Sequence, residues 1–451
     1  MSPPDQLYQR DALLRRLVRR DAETAILKVL AASRPQDIAA AMEHLTWAEQ
    51  RRLYRWIPDR DYAAEVLSYL SDVSSREVTR EMTEEQLVDL IDRMEPDDAT
   101  DVVAVLPESI QQRVLYELRD EESTEFVGDL LEYAKDTAGG IMSPRVFEMP
   151  DSANCGHAIS ALQNRHADLE SIHYVYILDR ARRLVGVTSL RSLLTNKPET
   201  PLVNIMTREL IAVAPEEDQE EVAKFVARYD LLAIPVVDGD RKLLGIVTVD
   251  DVIDVIQEEL AEDMMLMAGV QGTIDEQSIL RQSLQRTGWL IATIVGGILA
   301  AELIGLYEDT LQRVAVLAGF IPVIMGMGGN VGIQSATLAV RGLATGTVQV
   351  GGAAKFILTE ARVGVLIGAF YATLLGFYGI IRYPEPMIGV SLASSIFLAI
   401  AAASVLGSVV PLALNRSGVD PAIATGPFVT TLVDLLGIVI YFTVATALLG
   451  L

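Results

Sequence analysis

Cysteine and histidine are scarce in this chain of 451 residues, which has one cysteine and four histidines. A single cysteine, Cys155, cannot form an internal disulfide and is consistent with a reducing compartment. No cysteine or histidine follows His173, so the C-terminal part lacks the side chains typical of transition-metal sites. The first residues, MSPPDQLYQRDALLRR, lack the apolar core of a signal peptide, and we expect the N-terminal part to be cytoplasmic.

Basic residues are too few to balance the acids, since 37 Lys and Arg face 61 Asp and Glu. Residues 287–451 hold only 7 acids and 6 bases, which leaves a net charge of −23 in residues 1–286. A surface of that sign repels nucleic acid and anionic lipid but attracts cations. The sequence therefore argues against a nucleic-acid partner and predicts a soluble region that meets cations.

The signatures of two other activities are missing as well. No Gly-x-x-x-x-Gly-Lys-Ser/Thr loop is present, which argues against a nucleotide-driven pump. Asp420 and Asp434 do not fit an intramembrane aspartyl protease, because on one helix they would lie about 21 Å apart. Asp420 also follows Ser-Gly-Val rather than the Gly-x-Gly of such proteases. Nothing in the sequence predicts an enzyme.

The C-terminal part contains five long hydrophobic stretches. Each is long enough to span a bilayer, which takes about 20 apolar residues, and they lie near 287–306, 314–338, 357–380, 387–412 and 423–449. If residue 286 is cytoplasmic, most Lys and Arg near the span ends lie in cytoplasmic segments, as the positive-inside rule requires. We therefore predict a multi-pass protein of the cell membrane, with cytoplasmic N-terminal domains and its C-terminus outside.

The soluble region has two parts of different pattern. Residues 5–135 have helical periodicity, and RPQDIAAAMEHL (34–45) is echoed by EPDDATDVVAVL (95–106), which predicts an all-α superhelix of stacked short helices. From Ile141 a strand-turn-helix pattern occurs twice, over 141–198 and 202–250, and predicts an α/β pair with internal pseudo-symmetry. An acidic connecting helix over 251–275 leads to the membrane domain, 285–451.

Asp434 is the one charged residue between Asp420 and the C-terminus. An acid within a membrane span is costly and usually marks an ion path, although an acid hydrogen-bonded to a neighbouring helix is the alternative. Thr430 lies one turn earlier, so its carbonyl and the carboxylate can face the same lumen. The predicted lining further includes Asn330, Gln334, Thr425 and Thr431.

Glycines surround Asn330 and Gln334 in PVIMGMGGNVGIQSATLAVRG (322–342), and favour a locally broken helix that lines a water-filled path. Asp420-Pro421 is a helix-start signal just before the last span.

Dense acids elsewhere predict cation sensing, because carboxylates suit hard cations such as Mg²⁺ and Ca²⁺. The connecting helix is loaded with like-charge pairs that a bound ion would relieve. A solvated surface is the alternative for any one of them. The candidates are Asp97, Asp101, Asp218, Glu220, Asp251, Asp254, Glu259, Glu262 and Asp263.

The repeated units resemble a tandem pair of CBS modules. That resemblance implies adenine-nucleotide (ATP-type) binding by a Thr-x-x-Asp pattern, which Thr248 and Asp251 match, whereas the first unit has Ser189 and Ser192 instead. A structural dimerisation module is the alternative.

The whole arrangement, with GGNxGxQ and DPAxATGPFxTTxxD in the membrane part, resembles the MgtE family of magnesium channels. The resemblance implies a homodimer with its pore at the subunit interface, where Asp434 of each subunit holds a largely hydrated Mg²⁺. It also implies that the connecting helix is a plug held closed by abundant cytosolic Mg²⁺. Selectivity over Co²⁺, Mn²⁺ and Ca²⁺ stays open, and an ion-coupled secondary transporter of divalent cations is the alternative. A CBS-regulated anion channel fits less well, since an acid has the wrong sign for an anion path.

Overall fold

The computed structural model describes residues 13–119, 121–165, 172–268, 270, 279–344, 347–348, 352–424 and 426–450. The chain divides into two compact units, Met1–Gln257 and Glu258–Leu451. The first contains the helical and α/β parts, and the second contains the long apolar helices.

The N-terminal part consists of short helices that stack in sequence. From α3 onward each helix packs against the helix two places along the chain, which builds the predicted superhelix around one core. The helices are α1 (13–19), α2 (Glu23–Leu30), α3 (Pro35–Met42), α4 (Trp47–Arg55), α5 (Arg60–Ser68), α6 (Asp72–Thr79), α7 (Glu84–Ile91), α8 (Pro96–Ala104), α9 (Glu108–Glu117) and α10 (Glu121–Leu130).

The sequence echo within this part corresponds to a structural repeat. Helices α3 and α8 both have proline in the first turn, where its missing N–H costs nothing. Gln50 donates from Nε2 to the Met42 carbonyl (2.8 Å), at the end of α3. Gln111 likewise donates to the Leu106 carbonyl (2.9 Å), just after α8.

The α/β part contains two similar units. In the first, β1 pairs parallel with β2 and β2 pairs antiparallel with β3; in the second, β4 pairs antiparallel with β5. The elements are β1 (Glu148–Pro150), α11 (Cys155–Arg165), β2 (Tyr174–Leu178), β3 (Leu184–Ser189), α12 (Leu190–Thr195), α13 (Gln219–Tyr229), β4 (Ala233–Val237) and β5 (Leu243–Thr248).

The two α/β units exchange short segments near their starts. In IMSPRVFEMP (141–150), Ser143 donates its N–H to the Ile246 carbonyl of the second α/β unit (2.8 Å). In the similar IMTRELIAVAP (205–215), Thr207 donates its N–H to the Val187 carbonyl of the first α/β unit (2.8 Å). The α/β pair is therefore interlocked and pseudo-symmetric.

Among its described residues, the unit Glu258–Leu451 contains five helices long and apolar enough to cross a membrane. Each predicted span overlaps one of them, although the predicted 423–449 begins four residues before the helix that starts at Pro427. Large apolar side chains such as Leu366 and Phe370 point outward. The helices of this region are α14 (Val249–Met267), which crosses the unit boundary, α15 (Ile279–Gly305), α16 (Glu308–Arg313), α17 (Ile321–Ala344), α18 (Ala353–Arg382), α19 (Pro386–Arg416) and α20 (Pro427–Leu449).

One local prediction about the spans is wrong. Helix α17 is continuous through its glycines, which serve close helix packing instead: an added Cβ at Gly407 of α19 would lie 2.3 Å from the Gly332 carbonyl oxygen. Asp420-Pro421 precedes a separate 3₁₀ turn, Ala422–Ala424, where the Asp420 carboxylate accepts the Ala422 N–H (2.8 Å). The last span, α20, begins after this turn at Pro427.

Candidate ion pathway and cation-binding acids

Asp434 and Thr430 lie half-buried on one face of α20, opposite a glycine of α17. A Cβ added at Gly329 would be 3.7 Å from Asp434 Oδ1 and 3.7 Å from Thr430 Cγ2. The neighbouring Val433 fills the space beside Gly332, with its Cγ2 2.9 Å from a Cβ placed there. The glycine face of α17 therefore lets α20 approach while leaving room beside the carboxylate.

The Asp434 carboxylate receives no hydrogen bond and forms no ion pair with any residue that the structure describes. The Thr430 hydroxyl is occupied, since it donates to the Gly426 carbonyl (2.8 Å). A carboxylate at membrane depth without a protein donor or cation requires water or an ion. This arrangement disfavours the alternative of an acid satisfied by a neighbouring helix.

A polar stripe follows one side of α17. Asn330, Gln334 and Thr337 recur at helical spacing and are all exposed in the single chain. Amide side chains facing hydrocarbon are unfavourable, so this side of α17 is suited to water or to another protein surface. Asn330 and Gln334 are two of the predicted lining residues.

The remaining predicted lining residues lie elsewhere. Thr431 points toward α15, where its Cγ2 is 2.1 Å from the position of a Cβ added at Gly296. It therefore has a different neighbour from Thr430 and Asp434. Thr425 lies outside the described residues.

In the compact unit Met1–Gln257, acids from α8 and from the start of α14 come close together. Burial, followed by the charges of Asp101 and Asp251, raises the pKa of Asp98 to about 7. Burial likewise raises the pKa of Asp251 to about 6, against the hydrogen bonds from Thr248. Asp98 lies between Asp97 and Asp101, two of the predicted sensing acids, but the sequence did not predict it as one.

Lys135 contributes a positive charge to the same region. Its ammonium group is 2.8 Å from Asp72 on α6 and 3.5 Å from Asp101 on α8. Partial burial lowers the pKa of Lys135, but the two carboxylates more than compensate and raise it, so the side chain stays charged.

Other predicted sensing acids have local roles or are exposed. Asp218 caps α13 by accepting the Glu220 N–H (2.8 Å), and Glu220 forms an ion pair with Lys224 (3.0 Å). Along α14, Asp254 and Glu262 are exposed, whereas Glu259 and Asp263 are partly buried. Among the described residues, no three Asp, Glu, His or Cys side chains converge as a metal site.

Thr248 and Asp251 form a cap at the start of α14. The Thr248 hydroxyl donates to Asp251 Oδ2 (2.5 Å), and none of the described residues forms a hydrogen bond with Oδ1, which can therefore meet a ligand hydroxyl. In the first α/β unit, 141–198, Ser189 caps α12 by accepting the Ser192 N–H (3.1 Å). Thr248 and Asp251 of the second α/β unit thus fit a ribose contact. Ser189 and Ser192 of the first α/β unit lack the carboxylate.

Sequence reasoning also missed Glu360, an acid in the third span. It is buried on α18, and the Ser335 hydroxyl of α17 donates to its Oε2 (2.8 Å). The sequence signal that could have identified Glu360 is its charge inside the predicted span 357–380.

Comparisons with known proteins agree with this architecture. Family models match at residues 321–444 (MgtE, divalent cation transporter), 33–136 (MgtE intracellular N domain) and 202–258 (CBS domain). A solved structure of the cytosolic domain of the Mg²⁺ channel MgtE in complex with ATP is similar with a TM-score of 0.50 at 32% identity. The match covers 54% of this chain and 99% of that one.

Three relatives carry the name magnesium transporter MgtE. The Bacillus subtilis protein is 33% identical over 94% of this chain and 96% of its own length. The Thermus thermophilus protein is 34% identical over 94% of this chain and 95% of its own, and the Enterococcus faecalis protein is 38% identical over 71% of each. The chain belongs to the MgtE family of magnesium transporters, and is therefore a membrane transporter and not an enzyme.

Proposed function

We propose that the chain is a Mg²⁺-selective channel that imports magnesium along a path lined by Asp434 and Thr430. The supporting observation is the Asp434 carboxylate, which faces Gly329 and has no donor or cation among the described residues. Mg²⁺ releases its water reluctantly, so a few carboxylates and carbonyls around a hydrated ion suit it better than a closed cage. Thr425 and Thr431 remain predicted lining residues.

The working channel is a homodimer with its pore between the subunits. Support comes from the uncovered polar stripe on α17, which needs a polar lumen or a second chain beside it. Helix α14 adds an exposed apolar stripe at helical spacing, which a two-fold partner would cover. That stripe consists of Ile253, Ile256, Leu260 and Met264.

Cytosolic Mg²⁺ closes the channel by binding the acidic patches. In the compact unit Met1–Gln257, burial and then the charges of Asp101 and Asp251 raise the pKa of Asp98, and a divalent ion would relieve the repulsion between these carboxylates. Several weak sites acting together give a steep response. The proposed ligands are Asp97, Asp101, Asp218, Glu220, Asp251, Asp254, Glu259, Glu262 and Asp263.

An adenine nucleotide binds the second CBS unit at Thr248 and Asp251. The available Asp251 Oδ1 suits a ribose hydroxyl, and the similar solved cytosolic domain is a complex with ATP.

The charge bias places the compact unit Met1–Gln257 in the cytoplasm, and the odd number of spans then places the C-terminus outside.

Current recording on purified protein in bilayers tests this function. A channel gives a current that reverses at the Mg²⁺ equilibrium potential, ignores a chloride gradient and falls as internal Mg²⁺ rises. Replacement of Mg²⁺ by Co²⁺, Mn²⁺ or Ca²⁺ ranks the selectivity. Transport that stops when Na⁺ and H⁺ gradients are removed would support the coupled transporter instead.

A further inference from the structure

Glu360 is a buried carboxyl group inside the membrane domain that the proposed pore does not use. It lies about 10 Å along α18 from the start of that helix, and only 7% of its surface is exposed. No residue that the structure describes forms an ion pair with it. Its side-chain partner is Ser335 of α17, whose hydroxyl donates to Oε2 (2.8 Å).

A second serine extends the contact to a third helix. The Ser404 hydroxyl of α19 donates to the main-chain carbonyl of Glu360 (2.7 Å) and lies 3.2 Å from the Ser335 hydroxyl. A Cβ added at Gly364 would be 2.6 Å from Ser404 Cβ, so α18 and α19 are close enough for this contact only because residue 364 is glycine. One polar network therefore joins α17, α18 and α19.

The network lies on the helix that faces Asp434. Ser335 follows Gly332 by one turn on α17, and Gly329, one turn earlier, faces Thr430 and Asp434. A buried acid is an expensive way to join helices in a membrane, since an apolar side chain would pack there without the cost of burying a carboxyl group. What the acid adds is a directional hydrogen bond that fixes the position of α17 along α18.

We infer that Glu360 is a positioning residue: it holds α17 through Ser335, and so sets the distance between Gly329 and the Asp434 site. The inference rests on the proposed function, because it assigns Glu360 a role in the geometry of that ion path. Glu360 itself does not contact the permeating ion.

Substitutions that separate hydrogen bonding from charge test this role. Glu360→Gln keeps an oxygen that accepts from Ser335, whereas Glu360→Ala and Ser335→Ala remove the bond. Loss of a buried hydrogen bond is expected to lower maximal Mg²⁺ flux about tenfold, while Glu360→Gln stays within about twofold of the parent. Matched controls are Thr359→Val, the exposed neighbour on α18, and Ser394→Ala on α19, whose hydroxyl donates to the Val390 carbonyl of its own helix.

Helix spacing is measured separately by disulfide cross-linking. A Cβ at Gly437 of α20 would lie 3.9 Å from Ile324 Cγ2 of α17, so the two helices are in contact there and the cross-linking yield of cysteines at 324 and 437 reports their spacing. The natural Cys155 is buried. Cross-linking is expected in the parent and in Glu360→Gln, and is expected to be lost in Glu360→Ala and Ser335→Ala.

Three results overturn the inference: parental flux in both Glu360→Ala and Ser335→Ala, lost flux with unchanged cross-linking, or Glu360→Gln as impaired as Glu360→Ala. The last would mean that the charge itself acts on the ion. If Glu360→Ala does not yield intact protein, Ser335→Ala decides alone. Normal flux in Asp434→Asn would refute the proposed pore, whereas the cross-linking result stands independently of it.

Discussion

Replacing Lys135 by glutamine should make the channel more sensitive to internal Mg²⁺. The Lys135 ammonium lies between Asp72 and Asp101, at 2.8 and 3.5 Å. A divalent ion that binds Asp101 must therefore displace a cation supplied by the chain itself. Glutamine has nearly the same length and removes that competing charge.

The size of the effect follows from exposure. Lys135, Asp72 and Asp101 side chains are 53%, 52% and 59% exposed, so both ion pairs are surface pairs. Such pairs contribute about 0.2–1 kcal/mol each, and these exposed ones should be at the lower end, at about 0.4–1 kcal/mol together. At 1.4 kcal/mol per tenfold, Mg²⁺ affinity should rise about two- to fivefold.

The assay is current through reconstituted protein as internal Mg²⁺ is varied. Half-inhibition should occur at about two- to fivefold lower Mg²⁺ in Lys135→Gln, with unchanged open-channel conductance. Arg93→Gln is the matched control, because Arg93 also pairs with two acids of the same helical part, Asp61 and Asp89. An unchanged or higher half-inhibiting concentration in Lys135→Gln would refute competition at Asp101.

Three further predictions follow from the described contacts. The pKa of Asp98 is raised from 3.8 to about 7 in the folded state, so its contribution to the free energy of unfolding is complete below about pH 4 and is lost as pH rises through 7. In Mg²⁺-free thermal melts of the full chain, the melting temperature of Asp98→Asn should therefore fall less with rising pH than that of the parent. Gly407→Ala should destabilise the membrane domain by about 1–3 kcal/mol or more, because the methyl group meets the Gly332 carbonyl oxygen, whereas Gly297→Ala meets nothing within 4 Å; detergent melts that match would contradict this. Joint neutralisation of the acids on the connecting helix should shift inhibition by internal Mg²⁺ without changing permeation, and identical inhibition curves would mean that they are a solvated surface. Those acids are Asp251, Asp254, Glu259, Glu262 and Asp263.

The fold was largely predictable because its signals are local. Hydrophobic length alone located all five spans, and the Pro35 and Pro96 helix starts marked the repeat in the helical part. The break predicted in α17 was wrong because glycine has two uses in membrane helices. Here Gly332 admits Gly407 and Val433 at close range, and sequence alone does not show which helices will approach.

Sequence alone could single out Asp434, because it is the one acid in its span, but it says less where several segments meet. Asp98 gains its raised pKa from burial and from Asp251, which is far away in the sequence. Lys135 joins Asp72 and Asp101 by the same kind of long-range contact. Such tertiary contacts leave no periodic trace in the chain, so sequence reasoning named the acids without their partners.

Mg²⁺ flux into proteoliposomes containing the Asp434→Asn variant tests the central claim most directly. Asparagine preserves size and removes the charge, and Asp420→Asn is the matched control because asparagine caps the 3₁₀ turn as well as aspartate does. Asp434→Asn should abolish Mg²⁺ flux while the protein remains folded, and Asp420→Asn should conduct like the parent. Parental Mg²⁺ flux through folded Asp434→Asn would contradict the assignment of Asp434 to the ion path.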